Sequence, residues 1–376
     1  MTSPPPEIPD GLDPVVAAYV RSGGDTGLTV ELNQQAWSRW SIRPRMLRDV
    51  SELDPGVTLL GRRLAHPVLV APMSGLSLLH AGGEMACARG AAAAAAGFCL
   101  TSGSSQTVAA VAAASGPFLQ QVYLWPERDQ MLPFVEEVVS AGALGFLLTV
   151  DSPPQAARYG FRSRVTGMRA VASPNFEGGG PPAGSPADSG PEDIRWLTEV
   201  SGLPVLVKGV LRGDDAQVAM DAGAAGIVVS NHGGRGIDGS VTTAEALPEV
   251  AEAVAGRGLV LADGGIRQGE DVVRALALGA DAVLVGRPVA WALARGGADG
   301  VAALLPGGGT RELARLLPEF GEPAGGGDAG EARARLFEQV LVLLEQLADA
   351  GPVVMVIEDA HWADRSTRDL LAFLIR

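Results

Sequence analysis

The feature that most constrains the fold of this chain is a series of short apolar runs separated by stretches with helical periodicity. The eight runs span residues 66–73, 97–103, 118–124, 144–151, 203–210, 225–231, 259–265 and 282–287. Short apolar strands that alternate with helices predict a parallel sheet with right-handed crossover connections. Because there are eight such units, they favour closure over an open sheet, and we predict an α/β protein with the (β/α)8 TIM-barrel fold.

Composition and charge narrow the class of protein further. The 376-residue chain has a formal net charge of -14, which argues against a nucleic-acid partner and for a soluble protein. Its cysteines, Cys87 and Cys99, lie in apolar segments, so we expect buried thiols in a reducing compartment and no metal site. The chain shows neither a secretory signal nor an apolar run of membrane-spanning length. We therefore expect a cytoplasmic protein without a membrane partner.

The composition also changes along the chain and predicts its domain organisation. Residues 1–304 contain the barrel, preceded by an N-terminal helical segment, and residues 305–330 are predicted to be a linker. Within the barrel, residues 165–191 are rich in glycine, proline and serine, a composition that buries too little apolar surface to order itself firmly. We predict a flexible loop here. The sequence leaves open whether it is a mobile lid over the active-site face or a tolerated insertion.

The sixth apolar run is followed at once by the sequence SNHGGR, residues 230–235. In a (β/α)8 barrel, catalytic groups collect at the carboxyl ends of the strands. His232 supplies a proton acceptor and Arg235 supplies an anion-binding guanidinium on the same short loop. This combination suits an enzyme that removes a proton from a substrate that carries a carboxylate.

The ends of other strands carry groups that fit a cofactor with one phosphate and a planar polar head. After the last two runs, glycines permit backbone N–H groups to approach an anion, and Arg267 and Arg287 supply forked positive charge. Barrels often hold a phosphate at this place. Gln121, Thr149 and Ser230 are then placed to hydrogen-bond the edges of a ring. Flavin mononucleotide (FMN) meets this description.

Lys208 is the only lysine of the chain and lies late in the fifth apolar run. A lysine buried in a strand without a partner loses much of its hydration energy, so a purely structural role is rare. Next to a flavin, its charge is suited to stabilise the anion that forms on reduction. The alternative is a structural ion pair with Asp151 or Asp263.

Four motifs at strand ends resemble one known family, the FMN-dependent 2-hydroxy-acid oxidases and dehydrogenases. The motifs are LTVDSP, LPVLVKGV, SNHGGR and LADGGIRQGEDVVRALALGADAVLVGRP, and they occur in barrel order. The family includes glycolate oxidase, lactate oxidase and hydroxymandelate oxidase. The resemblance covers residues 12–304 and implies the barrel fold, FMN as the cofactor and a 2-hydroxy acid as the substrate.

The resemblance implies a role for each matching residue. His232 is the base that acts on the substrate, Asp151 pairs with its imidazolium form, and Lys208 serves the N1 region of the flavin. Tyr123 completes the catalytic set. The residues implied for substrate binding are Tyr19, Gly103, Tyr123, Arg158 and Arg235. Those implied for cofactor binding are Ala71, Pro72, Met73, Ser74, Thr101, Ser102, Gln121, Thr149, Lys208, Ser230, Asp263, Gly264, Gly265, Arg267, Gly286 and Arg287.

The implied reaction is the oxidation of an (S)-2-hydroxy acid to a 2-oxo acid. Oxygen, which yields hydrogen peroxide, or a quinone is the implied electron acceptor. The family often has tryptophan or another bulky residue where this chain has Gly103. Because that loss of bulk opens the pocket, we expect a larger or aromatic substrate such as mandelate rather than glycolate. The resemblance also implies a homo-oligomer, commonly a tetramer.

Residues 331–376 depart from this family. They predict a helix at 331–350 and a strand at Val353–Ile357, followed by Glu358, Asp359 and a further helix. The segment resembles the Walker B region of signal-transduction ATPases. It lacks the phosphate loop G-x-x-x-x-G-K-[ST], so it cannot hydrolyse ATP by itself. A truncated ATPase-like fusion and an ordinary helix–strand–helix addition both stay open.

Two other interpretations of the whole chain also stay open. In one, the barrel is a non-catalytic part of a regulatory fusion whose C-terminal region carries the function. In the other, the barrel binds FMN but performs different chemistry, such as the isomerisation of a diphosphate. The arginines that accompany His232 weigh against the second, because they suit a carboxylate substrate.

Overall fold

The computed structural model describes residues 8–9, 11–44, 47, 54–151, 171–176 and 190–306, and in addition 336–337, 340–341, 369–370 and 374. The chain divides into two compact units, Met1–Pro306 and Gly307–Arg376. In the second unit the described residues are helical. The strand predicted at Val353–Ile357, and almost all of the linker predicted at 305–330, lie outside the described residues.

Two helices and a hairpin precede the barrel. Helix α1 spans Pro14–Arg21, and α2 spans Leu28–Ser38. Helix α1 begins where its sequence favours it, because the Asp13 side chain accepts a hydrogen bond from Val15 N at 2.8 Å and proline occupies the first turn. The antiparallel hairpin consists of β1 (Val57–Leu59) and β2 (Arg62–Leu64). The N-terminal helical segment expected from the sequence is therefore present.

Eight parallel strands close into a barrel, as the alternation of apolar runs predicted. They are β3 (Val68–Val70), β4 (Gly97–Thr101), β5 (Phe118–Val122), β6 (Phe146–Thr149), β7 (Val205–Val210), β8 (Gly226–Val229), β9 (Leu259–Ala262) and β10 (Ala282–Val285). Each strand pairs with the next one in the chain, and β10 pairs with β3 to complete the ring. The prediction of a (β/α)8 fold is confirmed.

Helices connect consecutive barrel strands, a last helix follows β10, and together they cover the outside of the barrel. They are α3 (Leu76–Leu79), α4 (Gly83–Ala93), α5 (Val108–Ala112), α6 (Leu132–Ser140), α7 (Glu192–Ser201), α8 (Gly213–Asp221), α9 (Thr243–Val254), α10 (Gly269–Ala277) and α11 (Arg287–Leu304). Sequence-encoded caps set some of their ends. Helix α10, for example, starts with a capping box in which Gln268 and Asp271 bond each other's backbone N–H groups.

The two-residue period of the strands divides the barrel interior into two layers. The apolar layer comprises Leu69, Cys99, Leu119, Leu147, Leu206, Val228 and Leu261. Two residues further along each strand, the same face carries Ala71, Thr101, Gln121, Thr149, Lys208, Ser230 and Asp263. The hairpin residues Leu59 and Leu64 belong to the apolar cluster and fill it from the amino-terminal end. The polar layer therefore lies at the carboxyl ends of the strands.

Several expectations from composition can be compared with the described part of the chain. Cys87 and Cys99 are free thiols with 0% and 1% exposure, and burial raises the pKa of both. Within the described residues, no helix has both the length and the apolar character needed to cross a bilayer. Nor do His, Cys, Asp and Glu side chains form a group that would hold a metal ion in those residues.

Candidate active site

A cavity of about 180 Å³ opens at the carboxyl ends of the barrel strands, directly above the polar layer. The polar-layer residues that line it are Ala71, Thr101, Gln121, Thr149, Lys208 and Asp263. The loops after β3, β8, β9 and β10 form its walls, and α1 contributes Tyr19 and Val20. Its place in the fold is the one at which barrel enzymes bind their ligands.

One wall of the cavity is a chain of hydrogen bonds across three strands. Gln121 Nε2 donates to Thr149 Oγ1 at 3.1 Å, and Gln121 Oε1 accepts from Thr101 Oγ1 at 3.1 Å. All three side chains are buried. The Gln121 amide is thereby held with its nitrogen toward β6 and its oxygen toward β4. A row of oriented donors and acceptors of this kind suits the edge of a planar polar ring.

Lys208 forms a buried ion pair at the base of the cavity. Its Nζ lies 3.3 Å from Asp263 Oδ2 and donates to Ser230 Oγ at 2.8 Å. Burial by itself lowers the pKa of Lys208, but the carboxylates of Asp263 and Asp151 outweigh it, so the pKa lies above its ordinary value. The two carboxylates therefore favour the charged form of Lys208. Lys208 pairs with Asp263, as the structural interpretation of the sequence expected, and it also lines the cavity, so its role beside a flavin stays a prediction.

His232 and Asp151 form a hydrogen-bonded pair beside this cation. His232 Nδ1 lies 2.8 Å from Asp151 Oδ1. Burial raises the pKa of Asp151, but the charges of His232 and Lys208 outweigh it, so the net pKa lies below its ordinary value and the carboxylate stays ionised. Because Nδ1 is bonded to the carboxylate, Nε2 is the ring nitrogen that remains to accept a proton from a ligand.

Arg235 and Arg287 connect the end of α1 to the cavity wall. Arg235 donates to the carbonyl oxygen of Tyr19 at 2.8 Å, and its guanidinium lies 4.8 Å from the centroid of the Tyr19 ring. Arg287 donates to the carbonyl oxygens of Ser22 and Gly233 at 2.9 Å and 2.8 Å. These contacts use backbone oxygens, so the guanidinium charges are not neutralised by them.

Positive charge is concentrated at this end of the cavity. Burial lowers the pKa of Arg267 to about 10. The pKa of Arg287 is lowered well below its ordinary value by burial and by repulsion from Arg235 and Arg267. Among the described residues, no carboxylate lies within ion-pair distance of Arg267 or Arg287. Converging guanidiniums without a balancing carboxylate favour an anionic ligand.

The loop after β9 brings its backbone to the same place, and its geometry requires glycine. Gly264 and Gly265 both have φ of +82°, in the left-handed region that side chains rarely adopt. A Cβ atom at Gly265 would lie 2.2 Å from the Asn33 carbonyl oxygen. The two glycines therefore let the chain turn between α2 and the cavity, and they leave the backbone open to an anion.

The sequence matches a family model described as FMN-dependent dehydrogenase over residues 10–307. The chain belongs to this family. It is an FMN-dependent 2-hydroxy-acid oxidoreductase, and FMN is its cofactor. The match spans both N-terminal helices and the barrel. The resemblance inferred from the four strand-end motifs is thus confirmed.

Named relatives support the same assignment. The L-lactate oxidase of Nostoc sp. is 40% identical over 310 residues, which cover 76% of this chain and 85% of that protein. The 2-hydroxyacid oxidase 1 of Homo sapiens is 38% identical over 308 residues, with coverages of 76% and 83%. The crystal structure of mandelate oxidase with (S)-2-phenylpropionate has a TM-score of 0.74 at 38% identity, covering 78% of this chain and 86% of that one.

A second family model, described as AAA ATPase domain, matches residues 240–376. It overlaps the first match at residues 240–307, and the structure places residues 259–285 of this overlap in the barrel segment from β9 to β10. The match also includes the segment that resembles a Walker B region. Almost all of that segment lies outside the described residues.

The residues of the cavity fit FMN. Arg267, Arg287 and the glycines after β9 would hold its phosphate, and the oriented amide of Gln121 would bond its ring. Asp263 Oδ1 is buried and has no hydrogen-bond partner within the described residues, so it offers an acceptor to a ligand hydroxyl. Lys208 would supply positive charge where the ring accepts electrons.

Most of the residues that the sequence predicted for the site line the cavity. They are Tyr19, Ala71, Pro72, Met73, Ser74, Thr101, Gln121, Tyr123, Thr149, Lys208, His232, Arg235, Asp263, Gly264, Gly265, Arg267, Gly286 and Arg287. Four others are not in its lining: Asp151 lies behind His232, Ser230 bonds Lys208 and the His232 backbone, and Ser102 and Gly103 follow β4. Arg158 lies outside the described residues.

Sequence reasoning missed the apolar part of the lining. The additional residues are Val20, Leu76, Leu79, Gly233, Ile266, Leu284 and Ala290. Most are aliphatic and belong to the same patterns as ordinary core residues, so no local signal distinguishes them. Gly233 was within the SNHGGR motif but had no assigned role.

Proposed function

We propose that this enzyme oxidises (S)-2-hydroxy acids with a large or aromatic side chain to 2-oxo acids, with oxygen as the electron acceptor. The observation that carries the proposal is the His232–Asp151 pair, 2.8 Å apart, at the edge of a cavity that also contains Arg235. A base and a guanidinium in one cavity match the two groups of the substrate, its reacting carbon with the hydroxyl and its carboxylate.

The protein residues account for the proton and for the orientation of the substrate. Arg235 binds the carboxylate, and His232 Nε2 accepts one proton from the substrate. Asp151 stabilises the imidazolium that results and keeps its orientation. FMN, when bound, supplies the acceptor for the two electrons that the substrate loses. In the full reaction the substrate loses two protons and two electrons, and oxygen gains them to give hydrogen peroxide.

Lys208 contributes a fixed positive charge to this arrangement. Its Nζ is held by Asp263 and Ser230, so the charge needs no rearrangement when electrons arrive in the cavity. Ser230 Oγ also accepts from the His232 backbone N–H at 3.1 Å. One buried hydroxyl thus supports both the cation and the base.

The preference for large substrates rests on Gly103. Its φ is not in the left-handed region, so the backbone itself does not require glycine. A Cβ atom there would lie 3.2 Å from Ser74 Oγ and 3.8 Å from Thr101 Oγ1, and both neighbours line the cavity. A bulky side chain at this position would therefore project beside the cavity. Its absence leaves space next to the substrate position, in keeping with the mandelate oxidase among the similar structures.

A substrate panel tests the proposed preference. The purified enzyme is mixed anaerobically with glycolate, L-lactate and (S)-mandelate, and the rate at which its yellow flavin absorbance bleaches is recorded. We expect mandelate to have the highest kcat/KM. Gly103→Trp should lower kcat/KM for mandelate by about 10²-fold, because the indole would fill the space that the phenyl group of mandelate needs. The kcat/KM for glycolate should change less than about threefold. Gly103→Ala is the matched control and should retain the wild-type order.

The outcome that contradicts the substrate proposal is a glycolate kcat/KM far above that for mandelate in the wild-type enzyme. The acceptor is tested separately, by measuring hydrogen peroxide in air-saturated buffer. Oxygen as the acceptor predicts one peroxide for each 2-oxo acid formed. If peroxide is absent while an added quinone supports turnover, the acceptor is a quinone. A colourless protein that does not bind added FMN would contradict the catalytic proposal as a whole.

A further inference from the structure

Two buried asparagine side chains form a reciprocal pair between α2 and the loop after β8. Asn33 Nδ2 donates to Asn231 Oδ1 at 2.8 Å, and Asn231 Nδ2 donates to Asn33 Oδ1 at 2.8 Å. The residues are 1% and 5% exposed and lie 198 positions apart in the chain. Neither was assigned a role by the sequence patterns. Asn231 immediately precedes His232, so the pair joins a peripheral helix to the catalytic loop.

The orientation of the Asn231 amide is set by its own loop. Its Oδ1 also accepts from Gly234 N at 3.1 Å, and its Nδ2 also donates to the Val241 carbonyl at 3.2 Å. The amide therefore cannot turn over without losing these bonds. Asn231 therefore presents its Oδ1 as an acceptor and its Nδ2 as a donor to Asn33 in fixed positions. Only a side chain with both a donor and an acceptor can bond to both.

The residue held next to this pair has an unusual backbone. His232 has φ of +58°, in the left-handed region that residues other than glycine rarely adopt. Its backbone N–H bonds Ser230 Oγ, and its ring bonds Asp151. A strained conformation persists only when its surroundings enforce it, and Asn231, the residue before His232, is held both by its own loop and by the pair with Asn33.

Helix α2 is itself secured by the same loop. Asp238 lies at the amino-terminal end of α2, where its carboxylate accepts from Thr26 N at 2.9 Å, Gly27 N at 3.1 Å and Thr29 N at 2.9 Å. The helix is thus bound by this loop near its start and again at Asn33. Because both contacts come from residues 231–238, α2 behaves as a rigid support for the loop.

We propose that Asn33 is a positioning residue for His232, acting through Asn231 on the geometry of the His232–Asp151 pair. This inference rests on the proposed role of His232 as the base. The Asn33 side chain does not line the cavity, and the contact of Asn33 with the lining residue Gly265 is made by its backbone carbonyl and Cβ, which a side-chain substitution retains. Loss of the side-chain amide should therefore act mainly on the rate of proton removal, with little effect on the binding of the substrate carboxylate or of FMN.

The first test replaces Asn33 by leucine, which has a similar size but no hydrogen-bonding group. Asn33→Leu should retain FMN and lower the anaerobic bleaching rate at saturating substrate by about 30-fold, since small misplacements of a catalytic group cost one to two orders of magnitude. KM should change by less than about threefold. Gln35→Leu is the matched control, because Gln35 is an exposed polar residue on the same helix. A wild-type rate in Asn33→Leu overturns the inference.

A general loss of stability would also lower activity, so a second readout separates the two causes. Asn33→Leu is combined with Asp151→Asn. If Asn33 acts through the His232–Asp151 geometry, the bleaching rate of the double variant should lie within about threefold of the rate of Asp151→Asn alone. If the two losses multiply instead, Asn33 has only an independent structural role and the inference fails.

Asn33→Asp keeps the size of the side chain and gives a pH-dependent version of the same test. A protonated carboxyl donates to Asn231 Oδ1 as the native amide does, whereas an ionised one presents oxygen to oxygen. The rate of Asn33→Asp divided by the wild-type rate should rise at least about fivefold as pH falls from neutrality, because burial favours the protonated form. The ratio for Asn33→Leu should stay flat. A flat ratio for both variants contradicts the assigned hydrogen bond.

Hydrogen exchange provides a measurement that does not depend on turnover. In the holoenzyme with Asn33→Leu, the peptide that contains Gly234 should exchange its amide protons at least about tenfold faster than in the wild type, whereas peptides from β9 should not change. Unchanged protection at Gly234 overturns the inference. If the wild-type enzyme does not bleach with any hydroxy acid, the proposed function is wrong. The exchange measurement would still test whether the Asn33–Asn231 pair holds the loop.

Discussion

The two sides of the cavity handle charge in opposite ways. On one side, which we call the matched side, Lys208 pairs with Asp263 and His232 pairs with Asp151. On the other, the anion side, Arg267 and Arg287 have no carboxylate within ion-pair distance among the described residues. Lys208 and Asp263 are buried, but His232 and Asp151 are partly exposed, as are Arg267 and Arg287, so solvent access does not divide the two sides.

The difference separates two functions of the site. Charges that already have partners keep their positions and protonation states when a ligand arrives, which suits the transfer of protons and electrons. Charges held only by backbone oxygens still gain energy from an anion, which suits the binding of a phosphate. In order of decreasing effect, three variants test this division, and a fourth changes a carboxylate outside the cavity.

Asp151→Asn should have the largest effect on the matched side. The amide cannot stabilise the imidazolium form of His232, so the bleaching rate at saturating substrate should fall by roughly 10³-fold. FMN content should stay at the wild-type level, because Asp151 does not line the cavity. Stopped-flow absorbance under anaerobic conditions measures the rate. Asp215→Asn, an exposed acid on α8, is the control and should react like the wild type. An unchanged rate in Asp151→Asn would remove this residue from the mechanism.

Lys208→Met should unbalance the matched side by leaving Asp263 buried without its cation. The free energy of unfolding should fall by about 3–5 kcal/mol. Adding Asp263→Asn should recover more than half of that loss, because no uncompensated charge remains. Urea denaturation of protein stripped of FMN measures both values without a contribution from cofactor binding. A double variant as unstable as Lys208→Met would mean that the two charges do not compensate each other.

Arg267→Met tests the anion side. FMN should bind about 10²-fold more weakly, since a forked charge-assisted contact to the phosphate is lost. Riboflavin has the same ring but no phosphate, so its affinity should not differ between Arg267→Met and the wild type. Fluorescence titration of the FMN-free protein measures both ligands. An equal loss for riboflavin and FMN would show that Arg267 acts on something other than the phosphate.

Asp238→Asn should have the smallest effect, because this carboxylate is far less buried. Burial raises the pKa of Asp238, but hydrogen bonds from Thr26 and Thr29 lower it to about 2, from an ordinary value of 3.8. A depressed carboxyl pKa stabilises the fold above the ordinary value, and that stability is lost as pH falls toward 2. Asp238→Asn should therefore lower the free energy of unfolding at neutral pH by about 1 kcal/mol, after allowance for solvent screening.

The pH profile is the check on this last prediction. Denaturation of the wild type and Asp238→Asn is compared at several values between pH 7 and pH 2. The difference in unfolding free energy should shrink below pH 4 and vanish near pH 2. A difference that stays constant over this range would assign the effect to packing.

The barrel and the polar layer could be predicted from the sequence because both follow from local periodicity. Eight apolar runs indicated the strands, and the places of Gln121, Thr149 and Lys208 late in three of these runs assigned them to the cavity end of the barrel. Strand termini were predicted less well. The run 66–73, for example, contains a strand of only three residues, Val68–Val70, because its proline at 67 and the turn from 72 onward end the ladder.

Contacts between distant segments could not be predicted in the same way. The Asn33–Asn231 pair joins residues 198 positions apart, and an asparagine on a helix has no local signature of such a partner. Ser230 was expected at the ring edge, but the long side chain of Lys208 reaches its hydroxyl from the neighbouring strand. Arg287 was assigned to an anion, and its bond to the Ser22 carbonyl at the end of α1 was not foreseen. Each of these depends on how elements pack.

We propose that His232 removes a proton from the substrate within a preformed pair with Asp151. The anaerobic bleaching of His232→Ala with (S)-mandelate, in protein that has kept its FMN, measures this role. We expect that substrate still binds but that bleaching slows by about 10²–10⁴-fold, the usual contribution of a general base. Rapid bleaching of His232→Ala, close to the wild-type rate, would contradict it.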